Sequence, residues 1–340
     1  MRMIKLLPTS AICAGLLLGA GTAVADYKPL EGDPKEIAFG IISTESTANL
    51  KQQWLPFLAD MEKQIGMKVK PFFAPDYAGI IEGMRFGKVH VAWYGNKSGM
   101  EAVDRSGAEV FAQQVGVDGK QGYYSYVITH KDNKNLNSLK DLLKCDKTLN
   151  FGIGDPNSTS GFLVPSYYVF AKNGVDPKQC FKTVRNSNHE TNFMATANKQ
   201  VHAAANNSEQ WVRSHKKVPQ IAKNVKVIWK SPLIPSDPIT YRKDLSKELK
   251  AKLKGFFLTY GRFGSTDDVK KARAILAEMQ LAPFVDSNNT QLYPIRQLSL
   301  FKDKIKINKS KLSGAKKTAK VKVIDEKLAT LAVLSANVGK

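Results

Sequence analysis

Short apolar runs alternate with helix-period segments along most of this chain, and no other feature restricts its fold as strongly. EIAFGII (36–42) precedes ANLKQQWLPFLADMEKQIG (48–66), KVKPFFA (68–74) precedes YAGIIEGMRFG (77–87), and VHVAWYG (89–95) precedes SGMEAVDRSG (98–107). Further strand-like runs lie at 123–130, 148–154, 181–187, 201–207 and 224–231. Strands separated by helices imply an α/β fold of mostly parallel sheets with helices on both faces. Leu50, Trp54, Phe57, Leu58 and Met61 recur at helical spacing and read as one core-facing stripe.

The segment from about Asp132 to Lys223 reads as a self-contained α/β unit inserted within another. YYSYVITHKD leads into it, and VIWKSPLIPSDPITY, broken by three prolines, leads out. Two extended crossings between two units form a hinge with a cleft between the lobes. The expected division is a first lobe over 26–130, a second over 131–230, a return to the first over 231–300, and a lysine-rich C-terminal extension over 301–340. From Lys302 to Lys327 ten lysines face three acids, which reads as a solvated tail. The end of the chain, KVIDEKLATLAVLSANVG, suits one amphipathic helix able to pair with a second copy, a homodimer contact.

The N-terminus sets the compartment. Arg2 and Lys5 precede the apolar AICAGLLLGAG, and Ala23-Val24-Ala25 offers a small-residue cleavage site before Asp26. Residues 1–25 therefore read as a secretory signal peptide without a lipid anchor. The net charge is +21, or +19 once the two cations of the signal are subtracted. Such a balance suits nucleic acid or an anionic membrane, and export argues against the former. Removing the signal leaves Cys145 and Cys180, each just before a strand-like run. A disulfide and two buried thiols both remain open at this stage.

The densest cluster of small polar groups is GDPNSTSGF, residues 154–162, between a strand-like run and a helix-like one. Loops of this kind end at helix N-termini, whose unpaired N–H groups attract anions. One hydroxyl is enough to cap a helix. Ser158, Thr159 and Ser160 together exceed that need and point to an oxyanion site. Pro165, just past the first turn, implies a kink or a tight opening turn. At similar junctions stand Tyr77, beside a capping Asp76, Tyr123 near the crossing, and three further groups: His189, Glu209 and Asp237. Singly the last three read as caps or turn residues. Together in one cleft they would suit a cationic group, because two buried carboxylates need a cation partner. The five histidines lack metal-ligand spacing, and neither G-x-S-x-G nor a P-loop is present. No metal or cofactor is expected. Trp54, Trp93, Trp211 and Trp229 read as packing residues.

Taken together, FGIISTES, FFAPDYAGIIEGMRFGKV, AWYGN, GDPNSTSGFLVPSYYVFAKN, HETN, KSPLIPSDPI and YPIRQL resemble the phosphonate-binding proteins of ABC importers, a family with the two-lobed type II periplasmic binding protein fold. The likeness runs roughly from residue 36 to 300. It implies a periplasmic, non-catalytic capture protein that closes around a small-molecule phosphonate and delivers it to a membrane permease. By the resemblance, Ser158, Thr159 and Ser160 hold the phosphonate together with Tyr77 and Tyr123. His189, Glu209 and Asp237 match the residues that receive the amino group of 2-aminoethylphosphonate. A carrier of phosphate, phosphite or another oxyanion is the alternative, and a secreted phosphoester hydrolase a further one. His90 and His202 stand where relatives often carry Asp, a difference expected to affect packing.

Overall fold

The computed structural model describes residues 27–337, so the expected signal peptide lies outside the described residues. The first lobe opens with β1 (Ile37–Ile41), α1 (Thr47–Ile65), β2 (Val69–Phe73), α2 (Tyr77–Arg85), β3 (Val91–Trp93), α3 (Asn96–Arg105) and β4 (Ala108–Gly116). The chain crosses through β5 (Gly122–Tyr123) into β6 (Ser125–His130) and the second lobe. There follow α4 (Leu139–Leu142), β7 (Asn150–Ile153), a helical segment over 159–173, α5 (Pro177–Cys180), β8 (Thr183–Asn186), α6 (His189–Ala197), β9 (Ala203–Asn207), α7 (Ser208–Lys217), α8 (Pro219–Ala222) and β10 (Val225–Lys230). β11 (Ile234–Pro235) leads back to β12 (Pro238–Arg242), α9 (Lys247–Thr259), α10 (Thr266–Glu278) and β13 (Leu281–Asp286). The chain closes with α11 (Tyr293–Asn308) and α12 (Gly314–Ala336).

The result is a two-lobed α/β fold. One lobe is built on a six-stranded sheet, β13-β4-β12-β3-β1-β2, and the other on a five-stranded sheet, β10-β6-β9-β7-β8. The expectation of mostly parallel sheets holds for only part of each. β2, β1 and β3 pair in parallel, as do β8, β7 and β9. β12, β13, β6 and β10 add antiparallel pairings. The double crossing accounts for β6 and β12, which arrive from the other lobe and start at the cleft, antiparallel to β9 and to β3 and β4; β13 follows α10 within its own lobe and also lies antiparallel to β4. β6 already pairs within the five-stranded sheet, so the chain has changed sheets by Ser125, ahead of residue 131. The crossings themselves pair as the two-stranded ribbon β5–β11.

Local signals account for the elements that carry the site. Ser46 caps α1 by accepting from Asn49 N, the stripe from Leu50 to Met61 is buried, and Gly66 ends the helix at φ 69°. This stripe joins Phe39, Phe256, Phe257, Tyr260 and Phe284 in the first core. Phe151, Phe170 and Phe181 centre the second. Cys145 and Cys180 are joined by a disulfide at the starting ends of the parallel β7 and β8. Closing a loop across 35 positions stabilises the fold by about 3–4 kcal/mol on chain-entropy grounds. His90 and His202 serve matching ends in the two lobes. The Nδ1 of each accepts a backbone N–H at the start of a neighbouring strand, from Ala38 at 3.0 Å and Asn150 at 2.9 Å.

The lysine-rich region is helical rather than a loose tail. α11 runs through residue 301, and α12 packs on it, burying Ile324 and Leu331 while Val323, Val333 and Leu334 stay exposed. No helix among the described residues is long and apolar enough to cross a membrane.

Candidate functional site

All eight sequence-derived candidates line one cavity between the lobes: Tyr77, Tyr123, Ser158, Thr159, Ser160, His189, Glu209 and Asp237. The cavity holds about 580 Å³ not filled by atoms, its solvent mouth included. Ser158, Thr159 and Ser160 are each 2 % exposed, and Asp237 is 5 % exposed. These polar groups are therefore buried, and each must be explained by a partner inside the protein or by a ligand.

The hydroxyl wall is built by the turn from β7 into the 159–173 helix. Only Ser158 acts as the cap, its Oγ accepting from Gly161 N at 3.0 Å. The opening turns are wide, with Leu163 N donating five residues back to Ser158 O. Pro165 has no N–H for the Gly161 carbonyl four residues earlier, and Gly154 N supplies that bond at 2.8 Å. The two glycines meet so closely that a Cβ on Gly154 would lie 2.6 Å from the Gly161 backbone. Thr159 Oγ1 accepts from Lys97 N at 2.8 Å, and Ser160 Oγ from Asn207 Nδ2 at 3.4 Å. Each hydroxyl thus accepts from the protein and keeps its own O–H to donate. The first-turn N–H groups of Thr159 and Ser160 have no carbonyl a turn earlier to bond. Such a group of donors at a helix start is chemically suited to an anion.

His189, read from the sequence with the two acids, reaches the hydroxyls: its Nε2 stands 3.4 Å from both Ser158 Oγ and Ser160 Oγ, and its Nδ1 is buried without a partner among the described residues. Burial, aided by the charge of Arg213, pushes its pKa down to about 4. A neutral imidazole is therefore the form present near neutral pH.

The opposite wall carries the acids. Asn188 and Asn207 cap α6 and α7 by accepting from Thr191 N and Gln210 N. The caps are thus the asparagines, and neither His189 nor Glu209 fills that role. Asp237 lies between β11 and β12, where its Oδ2 accepts from Trp93 Nε1 at 3.1 Å. Its Oδ1 is buried and accepts no hydrogen bond among the described residues, although the Tyr123 hydroxyl lies close enough to the carboxyl to oppose the rise in its pKa. Burial raises the pKa of Asp237 well above the usual carboxylate range, and the Glu209 charge adds to it. Burial also raises Glu209, against the pull of Arg213. Tyr77 and Tyr123 are pushed up by burial first and nearby carboxylates second, so both keep their phenolic protons.

The two lobes touch around this cavity. From the first lobe, Thr44 O accepts from His189 N at 3.1 Å, and Ser46 N donates to Glu190 Oε2 at 2.7 Å. Tyr77 N donates to Asp155 Oδ2 at 3.2 Å. Glu45 pairs with Arg213. Sequence reasoning missed this last pair, and it assigned Trp54 and Trp93 to packing alone. Both tryptophans stack on each other with centroids 5.2 Å apart and also line the cavity. Trp211 packs against Phe193 and His215, as expected of a core residue. The one sequence signal for Arg213 was its place four residues after Glu209 on α7. No group of three or more His, Cys, Asp or Glu side chains arranged to hold a metal occurs among the described residues.

Residues 39–292 match a family described as "ABC transporter, phosphonate, periplasmic substrate-binding protein". The chain is 54% identical over 300 residues to the "Phosphonates-binding periplasmic protein" of Escherichia coli (strain K12), covering 88% of this chain and 86% of that protein. It is 30% identical over 262 residues to the "Phosphate-import protein PhnD" of Mycolicibacterium smegmatis, covering 73% of this chain and 80% of that one. Among solved structures, the binding component of an ABC phosphonate transporter from Pseudomonas aeruginosa superposes with a TM-score of 0.86 at 52% identity. That match covers 91% of this chain and 100% of the solved one.

Proposed function

Since the chain belongs to the phosphonate-binding family of periplasmic substrate-binding proteins of ABC transporters, we propose that its ligand is a small aminoalkyl phosphonate, 2-aminoethylphosphonate in the first instance. The family captures a ligand for transport and is not enzymatic. The observation that carries the choice of ligand is the pairing of hydroxyls free to donate with a buried Asp237 carboxylate whose Oδ1 accepts no hydrogen bond among the described residues, both lining one cavity. Ser158, Thr159 and Ser160, helped by Tyr77, Tyr123 and neutral His189, take the phosphonate oxygens. Glu209 and Asp237 take the ammonium. A ligand lacking the amine leaves these carboxylates buried without a counter-charge, a loss of about 1–3 kcal/mol or more. The lobes rotate about the β5–β11 ribbon, with residues 26–130 and 231–300 moving against 131–230 apart from the strand β6. The closed form is what the membrane permease reads.

Calorimetric titration with 2-aminoethylphosphonate, methylphosphonate and inorganic phosphate tests this reading. The aminated ligand should bind tightest by a factor of about 10 or more. Inorganic phosphate binding equally well would remove the amine role of Glu209 and Asp237 and leave an oxyanion carrier.

Protonation supplies a separate check. In the empty cleft burial holds the two carboxyls at raised pKa, so they carry protons at higher pH than free acids do. An ammonium beside them favours the ionised forms and draws those values down. Binding of the aminated ligand therefore releases protons, and its affinity falls as pH drops through the raised values of the empty site. Methylphosphonate brings no ammonium and lacks this component. Calorimetry in two buffers of different ionisation enthalpy measures the released protons, and equal release for the two ligands would contradict the assignment.

A further inference from the structure

Arg213 lies one helical turn beyond Glu209 on α7, the spacing at which a Glu and an Arg normally pair along a helix. It does not pair there. Its Nη1 donates instead to Glu45 Oε1, which comes from the loop after β1 in the other lobe, and this is the ion pair that Arg213 forms among the described residues. Glu45 is firmly held. Its side chain is 2 % exposed, and the same oxygen accepts from Gln53 Nε2 at 3.1 Å. Arg213 nevertheless lines the cavity, and its Nε is buried with no partner among the described residues. A guanidinium so placed is the nearest rival to any cation that a ligand brings to Glu209.

We propose that Glu45 is a specificity-determining residue: by drawing Arg213 across the cleft it keeps that guanidinium off Glu209 and reserves the Glu209 carboxylate for a cationic ligand group. This rests on the reading of Glu209 as part of the amine end. With Arg213 held by Glu45, no ion pair joins it to Glu209 among the described residues, and its pull offsets only part of the burial that raises the Glu209 carboxyl. The arrangement exists only with the lobes together, because Glu45 and Arg213 belong to different lobes. A chain with the same hydroxyl motif but no acid at this position would keep Arg213 on Glu209 and take up plain oxyanions.

Glu45→Gln tests this with the full mature protein. The variant should bind 2-aminoethylphosphonate roughly 30-fold or more weaker, while methylphosphonate stays within about threefold. In its crystal structure Arg213 should stand within about 4 Å of the Glu209 carboxylate. The double variant Glu45→Gln/Arg213→Gln removes the competing cation and should recover most of the lost affinity for the aminated ligand. Equal losses of both ligands would make Glu45 a closing contact only and overturn the proposal. So would a double variant as weak as the single one, or an Arg213 that stays away from Glu209. If the unaltered protein holds the two ligands equally, the amine reading of the site fails, and the position of Arg213 in the Glu45→Gln crystal still decides for or against the role of Glu45.

Discussion

Glu209→Gln should lower the affinity for 2-aminoethylphosphonate by about 30-fold to several-hundred-fold while leaving methylphosphonate within about threefold. The substitution keeps the shape of the side chain and one acceptor oxygen. What it removes is the charge that an ammonium needs when it leaves water for a buried site. Asp237 remains but already accepts from Trp93, so it replaces only part of the loss. For methylphosphonate the same change removes a like charge from the cavity, so its affinity holds or rises. Titration calorimetry on the two ligands reads the contrast directly. Parallel losses for both would show that Glu209 supports the fold of the cleft and does not recognise the amine.

Thr159→Val is expected to behave in the opposite way, weakening every ligand by about 100-fold irrespective of an amino group. Valine matches threonine in shape, but the hydroxyl has two functions here. Its O–H is free to donate to the anion, and its Oγ1 is the acceptor for Lys97 N across the cleft. The variant therefore loses a charge-assisted hydrogen bond and also orphans a buried backbone donor in the closed form. Both losses fall on the anion end and on closure, which all ligands share. A selective loss of the aminated ligand alone would mean that Thr159 does not face the anion. The ratio of affinities for the two ligands, measured for both variants, thus separates the ends of the site without a structure of either complex.

Much of this arrangement is legible along the chain, because its causes are local. The stripe from Leu50 to Met61 repeats at helical spacing within a dozen residues, and that suffices to define α1 and its buried face. Asp76 announces the start of α2 and does cap it, accepting from Gly79 N at 2.8 Å. Three adjacent hydroxyls after a strand stood out, all three line the cavity, and one of them alone proved to be needed as the cap. The acids at 209 and 237 stood out because they follow strands, where side chains reach a cleft in this class of fold.

Other features depend on what meets in space. His189 looked like one of three similar polar junctions, and only the position of α6 against the 159–173 turn placed its ring between Ser158 and Ser160. Sheet direction followed from the crossings, which reverse β6 and β12 relative to the strands beside them. The disulfide required β7 and β8 to be parallel neighbours before either cysteine had a partner. Glu45 and Arg213 are 168 positions apart, and each alone reads as a solvated charge. The sequence by itself determined most of the alternating strands and helices and the polar residues that gather at the cavity, since periodicity acts over one or two turns, whereas the strands β4 and β13 went unread. Only the tertiary structure decided which charges face one another across the cleft, because that pairing is made by lobe closure and leaves no periodic trace along the chain.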